Sequence, residues 1–161
     1  MKTTVVYYSL SGNARFAAER AAAQLGAQTV ELTPEKRFPD KGFRKFLSGG
    51  KSALFGDTPA LRPYGFRAED CERLLLVTPI WAGCIAPPLK TFLTEQKEAL
   101  RGKRVAALFC CSGGDTAKAA KQLRELLGPD ALDAELTLVD PKTKPAEEKD
   151  KALEEFCSKL Q

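Results

Sequence analysis

The chain has 161 residues, 43% hydrophobic and 29% charged, with a mean hydropathy of −0.27, which is enough for one core and ordinary for a soluble protein. Its 25 Lys and Arg outnumber its 21 Asp and Glu to give +4, and it contains no histidine. The missing imidazole excludes Ser-His-Asp and Cys-His triads, His-ligated zinc hydrolases and haem held by His. Chemistry here must come from backbone, hydroxyls, aromatics, carboxylates or a borrowed cofactor.

Thr3 to Tyr8 is a short run of β-branched and aromatic residues, apolar on both faces as a buried strand should be. Ser9-Leu10-Ser11-Gly12-Asn13 breaks it, and helical periodicity runs from Ala14 to Leu25, closed by Gly26 as a C-cap. Gln28 to Leu32 is a second strand and Arg73 to Thr78 a third. A helix begins near Pro87-Pro88, which suit a first turn, and extends to about Leu100. Arg104 to Cys110 is a fourth strand, a helix covers Thr116 to Leu127, Leu132 to Val139 is the fifth strand, and Ala146 to Leu160 the last helix. Strands alternating with helices predict an α/β three-layer sandwich with a five-stranded parallel sheet, order 2-1-3-4-5, in a single domain.

The five cysteines are Cys71, Cys84, Cys110, Cys111 and Cys157, an odd count with no C-x-x-C. They read as free, mostly buried thiols in a reducing compartment. On the vicinal pair Cys110-Cys111, one thiol is expected to be buried and the other to reach a crevice. No leader-like segment and no membrane-length apolar run is evident, so a cytoplasmic location is expected, with no membrane partner. No metal site and no catalytic side chain is singled out.

Three loops follow strands one, three and four, which are neighbours in this order. Ligands of such sheets bind outside the strand C-termini where the crossover direction reverses, so the three loops should converge on one crevice. In the first, Ser9-Leu10-Ser11-Gly12-Asn13-Ala14, backbone amides at a helix N-terminus and three short polar side chains suit a phosphate; a plain turn with an N-cap is the alternative. No G-x-x-x-x-G-K-[ST] loop is present, so a nucleoside triphosphatase has no support. In the second, Thr78-Pro79-Ile80-Trp81-Ala82-Gly83-Cys84, the single tryptophan is either a platform for a planar ligand or a lid over the core. In the third, Cys110-Cys111-Ser112-Gly113-Gly114-Asp115, two glycines let backbone approach a ring, and Asp115 reads as a helix cap rather than a catalytic acid.

Together these motifs, in this order, resemble the flavodoxin-like FMN-binding family over nearly the whole chain. The resemblance implies that Ser9, Ser11, Gly12, Asn13 and Ala14 wrap the FMN phosphate. It implies that Pro79, Ile80, Trp81, Ala82 and Gly83 hold the isoalloxazine with Trp81 stacked on it, and that Ser112, Gly113 and Gly114 line its other side. Two departures stand out: the family's phosphate loop usually ends in Thr or Ser where this chain has Ala14, and carrier flavodoxins are strongly acidic. Arg15, next in line, is a candidate to supply charge at the phosphate or else faces solvent. The expectation is an FMN-binding electron-transfer protein. The alternatives are a flavin-dependent NAD(P)H/quinone-type oxidoreductase of the same fold and a flavin-free interaction module.

Thr33 to Cys71 is too long for a simple connection and holds a basic, aromatic insert. Within residues 36–51, Lys36, Arg37, Lys41, Arg44, Lys45 and Lys51 stand against a single acid, Asp40, and five of nine phenylalanines (Phe38, Phe43, Phe46, Phe55, Phe66) lie in the whole stretch. A short amphipathic helix around Gly42 to Leu47 is expected. The segment reads either as a solvated face whose phenylalanines pack on the sheet edge or as a docking site for an acidic redox partner. The modest net charge argues against nucleic acid. A positive surround favours a reduced, anionic flavin, so a two-electron potential above that of acidic flavodoxins is expected.

Overall fold

The computed structural model describes residues 1–39, 51–53 and 56–161. Strand β1 (Thr3–Tyr7) leads into helix α1 (Asn13–Leu25) and strand β2 (Gln28–Glu31). After the long connection and a 3-10 turn at Ala68–Asp70 come β3 (Arg73–Trp81), the two-residue β4 (Cys84–Ile85) and α2 (Pro87–Glu95). The chain ends with β5 (Arg104–Cys111), α3 (Ala117–Leu127), β6 (Leu132–Val139) and α4 (Glu147–Leu160).

Five strands form a parallel sheet in the order β2-β1-β3-β5-β6, and β4 pairs antiparallel with the end of β3. Leaving β4 aside, this is the expected order 2-1-3-4-5. The central strands are apolar on both faces because helices cover both. Val5, Leu75, Val77, Ala106 and Leu108 pack under α1 and α4, whereas Val6, Leu74, Leu76, Val105 and Phe109 pack under α2 and α3. The edge strand β6 instead alternates half-buried and exposed residues along most of its length.

The ends of the elements carry the corrections. Gly26 caps α1 with a left-handed φ of 59°, as expected, its N–H donating to the Ala22 carbonyl. Helix α2 stops at Glu95 rather than Leu100, although Leu100 stays buried. Strand β3 runs three residues past Thr78, and its continuation is a hairpin, not an open loop. The long connection is pinched at its base, where Pro34 bridges Leu61, the Glu35 N–H donates to the Ala60 carbonyl and the Arg62 N–H to that of Thr33. The helix expected at Gly42 to Leu47 lies outside the described residues. Of the five phenylalanines of this stretch, Phe38 and Phe66 are described, and both pack inward, on Trp81 and Phe92 respectively.

Candidate functional site

A cavity of about 430 Å³ opens at the C-terminal ends of β1, β3 and β5, within the usual size range of small-molecule sites. It is lined by Ser9, Leu10, Ser11, Asn13 and Ala14 from the first loop, Pro79 to Gly83 from the second, and Cys110 to Asp115 from the third, with Asp140 beyond β6. Every residue that the resemblance assigns to FMN lines it except Gly12.

The first wall is the start of α1. Gly12 has a φ of 97°, a conformation that favours glycine, and its N–H donates to Ser9 Oγ at 3.1 Å. The first intrahelical bond runs from the Phe16 N–H to the Gly12 carbonyl, leaving the amides of Asn13, Ala14 and Arg15 without helical acceptors. Among the described residues no side chain caps this helix, and its first turn holds no acid. It is therefore a positive helix end facing a cavity, suited to an anion.

Two of the expected polar side chains here have other work. Asn13 Oδ1 accepts from the backbone N–H groups of Lys142 and Thr143, at 2.9 and 3.3 Å, and its Nδ2 donates to Ser11 Oγ at 3.5 Å, so the side chain ties the first loop to the distant 140–144 turn. Arg15 is paired with Glu31, which removes it as the cation of this loop.

The second wall is a tight hairpin. Trp81 pairs with Cys84, and the two residues between, Ala82 and Gly83, have φ of 51° and 77°, as a type I′ turn requires. A left-handed alanine costs about 1 kcal/mol, strain held at the cavity rim. The hairpin is fixed from behind, the Ala86 N–H donating to Thr78 Oγ1 and the Ile85 N–H to Gln122 Oε1 on α3. Trp81 thus sits at a strand end rather than in a loop, half-buried, with ring centroids of Tyr8 at 5.7 Å and Phe38 at 5.1 Å, both near perpendicular. The indole is propped by two aromatics and still lines the cavity.

The third wall contains the vicinal cysteines, where one thiol was expected to be buried and the other to reach the crevice; both line the cavity, and both are largely covered. Cys110 is 4% and Cys111 6% exposed, and burial with the neighbouring Cys111 pushes the Cys110 thiol up to about 12. A protonated, buried thiol is a poor nucleophile. Asp115 accepts the Ala117 N–H at 2.8 Å, the capping role expected of it. Gly113 and Gly114 have φ of 131° and 96° with open space where a Cβ would stand, so backbone is presented directly to the cavity.

Leu10 and Asp140 were not evident from the sequence. Asp140 adopts φ 44°, its N–H donates to the Cys111 carbonyl, and its carboxylate takes the Ser112 hydroxyl at 3.1 Å and the Lys144 ammonium at 2.9 Å. Lys144 first, then Ser112, hold its carboxyl below the ordinary carboxylate range. A lowered folded-state pKa stabilises the fold above the unfolded value near 3.9 and is lost as pH falls through the folded value. Unfolding free energies of wild type and Asp140→Asn should therefore differ at pH 6 and converge below about pH 4. Asn tolerates this φ, so a gap that stays constant with pH would refute the assignment.

Comparison with known proteins fits this geometry. Residues 1–137 match the family model described as NADPH-dependent FMN reductase. The chain belongs to that family. In structure it is similar to a Lactobacillus acidophilus flavoprotein solved in complex with FMN, at 24% identity and TM-score 0.71, covering 93% of this chain and 97% of that one. It is also similar to a Streptococcus pneumonia flavodoxin (16% identity, TM-score 0.64, 99% and 97% covered) and to a Bacillus anthracis azoreductase (15%, 0.52, 98% of each). These likenesses establish a flavodoxin-like fold. No curated protein matches the chain in sequence. Among the described residues no helix is long and apolar enough to cross a membrane.

Proposed function

We propose that this member of the FMN reductase family binds one FMN non-covalently in the crevice and passes electrons through it. The observation that carries the proposal is the uncapped start of α1 opening into the same cavity as Trp81 and the bare backbone of Gly113 and Gly114. The residues fit the group: an anion-seeking helix end at one side, an aromatic wall and glycine backbone at the other. When bound, FMN supplies reversible electron transfer, and the protein supplies position and electrostatics.

In this reading the amides of Asn13, Ala14 and Arg15, with Ser11, hold the phosphate. Trp81 bounds one side of the ring, and Ser112 to Gly114 bound the other. Ile80, Ala82 and Gly83 present hairpin backbone to the ring edge, and Pro79 fixes the hairpin's departure from the sheet. The family description favours NADPH as electron donor, and the likeness to a flavodoxin supports receipt of electrons from a protein instead. An acidic redox partner at the basic 36–51 segment belongs to the second reading; its Lys36 and Arg37 are exposed, and residues 40–50 lie outside the described structure.

The test is spectroscopic. The purified chain should acquire flavin absorbance with FMN at one equivalent, and anaerobic NADPH should bleach it if the donor is NADPH. Bleaching by a reduced carrier protein but not by NADPH would favour the electron-carrier reading. A chain that gains no flavin absorbance would defeat both and leave an interaction module.

A further inference from the structure

We infer that Lys142, on the turn after β6, is the cation of the phosphate subsite, and that Asn13 is the residue that positions it. The inference rests on the FMN reading above and assigns a residue from a part of the chain distant from the loop it serves. A phosphate ester carries close to two negative charges at neutral pH, more than the half-charge of a helix end can balance. The loop ends in Ala14, which offers no hydroxyl, and Arg15 is committed to Glu31.

Lys142 reaches this loop from the far side. Its side chain lies over Gly12, with Nζ 3.1 Å and Cδ 3.5 Å from the point where a Cβ on Gly12 would stand. Glycine at position 12 thus serves both the left-handed turn and the seat of the lysine. The backbone of the same lysine is gripped by Asn13 Oδ1, which accepts from Lys142 N–H and Thr143 N–H. At its other end the turn is anchored through Asp140 to Cys111 and Ser112. Its second lysine, Lys144, is spent on Asp140, whereas Lys142 makes no ion pair with a described residue. The first residue of the helix that would bind the phosphate therefore holds the segment that delivers the ammonium, and charge-assisted contact to an anion is its evident use.

The experiment is titration of the full chain with FMN and with riboflavin, which lacks the phosphate, at low and high salt. Lys142→Gln should weaken FMN binding about three- to tenfold at low salt, with the gap narrowing at high salt, and leave riboflavin binding unchanged. Lys142→Arg should retain FMN affinity. Asn13→Ala should flatten the salt dependence of FMN binding in the wild-type background and leave it unaltered in Lys142→Gln. Wild-type FMN affinity and salt dependence in Lys142→Gln would overturn the inference alone, as would an equal loss for FMN and riboflavin. A wild-type chain that binds neither flavin would overturn the FMN reading and this inference with it.

Discussion

Phe92→Ala should lower the unfolding free energy by about 3–5 kcal/mol, the range for emptying a fully buried aromatic site. Phe92 is 0% exposed on α2, under a core face that includes Leu74, Leu76 and Phe109. It also receives two rings from the long connection, Phe66 with centroid 5.0 Å away and an interplanar angle of 82°, and Tyr64 at 5.6 Å and 63°. Such edge-to-face pairs contribute about 0.5–1.5 kcal/mol each beyond burial. The ring therefore joins the core to the returning arm of the Thr33–Cys71 connection, and its removal acts on both.

For a chain of this size that loss corresponds to a Tm lower by roughly 6–20 °C. The measurement is denaturant and thermal unfolding of flavin-free protein, because a ligand bound only to the folded state would mask the difference. Phe92→Leu keeps most of the volume and should cost less than about half as much. A loss below 1 kcal/mol for Phe92→Ala would mean that the Tyr64–Phe66 arm refills the site, and would remove the case for Phe92 as the joint between arm and core.

The sheet was legible because its central strands are apolar on both faces, a pattern that only a doubly covered parallel sheet produces. Leu132–Val139 is found where it was expected, and the three loops do meet at one crevice. Helix α2 was over-extended because Leu100 continues the apolar spacing and is buried, although the chain has already turned. The hairpin at Ala82-Gly83 was missed for two reasons. Alanine is an unusual residue at positive φ, and Pro79 argues against a central strand. Pro79 is tolerated because β1 has ended by then: the last β1–β3 pair is Tyr7 with Val77, so only the β5 side is still laddered. Asp140 and Lys142 carried no local signal at all. Asp140 is held at the crevice by Cys111 and Ser112, and Lys142 is held beside the first loop by an Asn13 contact across 129 residues, neither of which a spacing rule reports.

Trp81→Ala should weaken FMN binding by about 1–3 kcal/mol, roughly 5- to 150-fold in Kd, the range measured when an aromatic that stacks on a nucleobase is removed. The argument is geometric. The indole is fixed at a strand end by the Trp81–Cys84 pair and held by Tyr8 and Phe38 at 5.7 and 5.1 Å. A planar ligand thus meets a surface already ordered and loses little side-chain entropy on binding it. The alternative read from the sequence, a lid over the core, makes a different prediction. A lid would cost stability when removed and leave flavin affinity alone. Trp81 is only half-buried, so the loss of fold stability should be smaller than that for Phe92→Ala, and the larger effect should fall on binding. Trp81→Phe retains a π face and should recover part of the affinity, and riboflavin should be weakened as much as FMN, because the ring and not the phosphate is affected. This sets Trp81 apart from Lys142, whose loss should spare riboflavin. Equal FMN affinity in wild type and Trp81→Ala would place the ring elsewhere in the crevice.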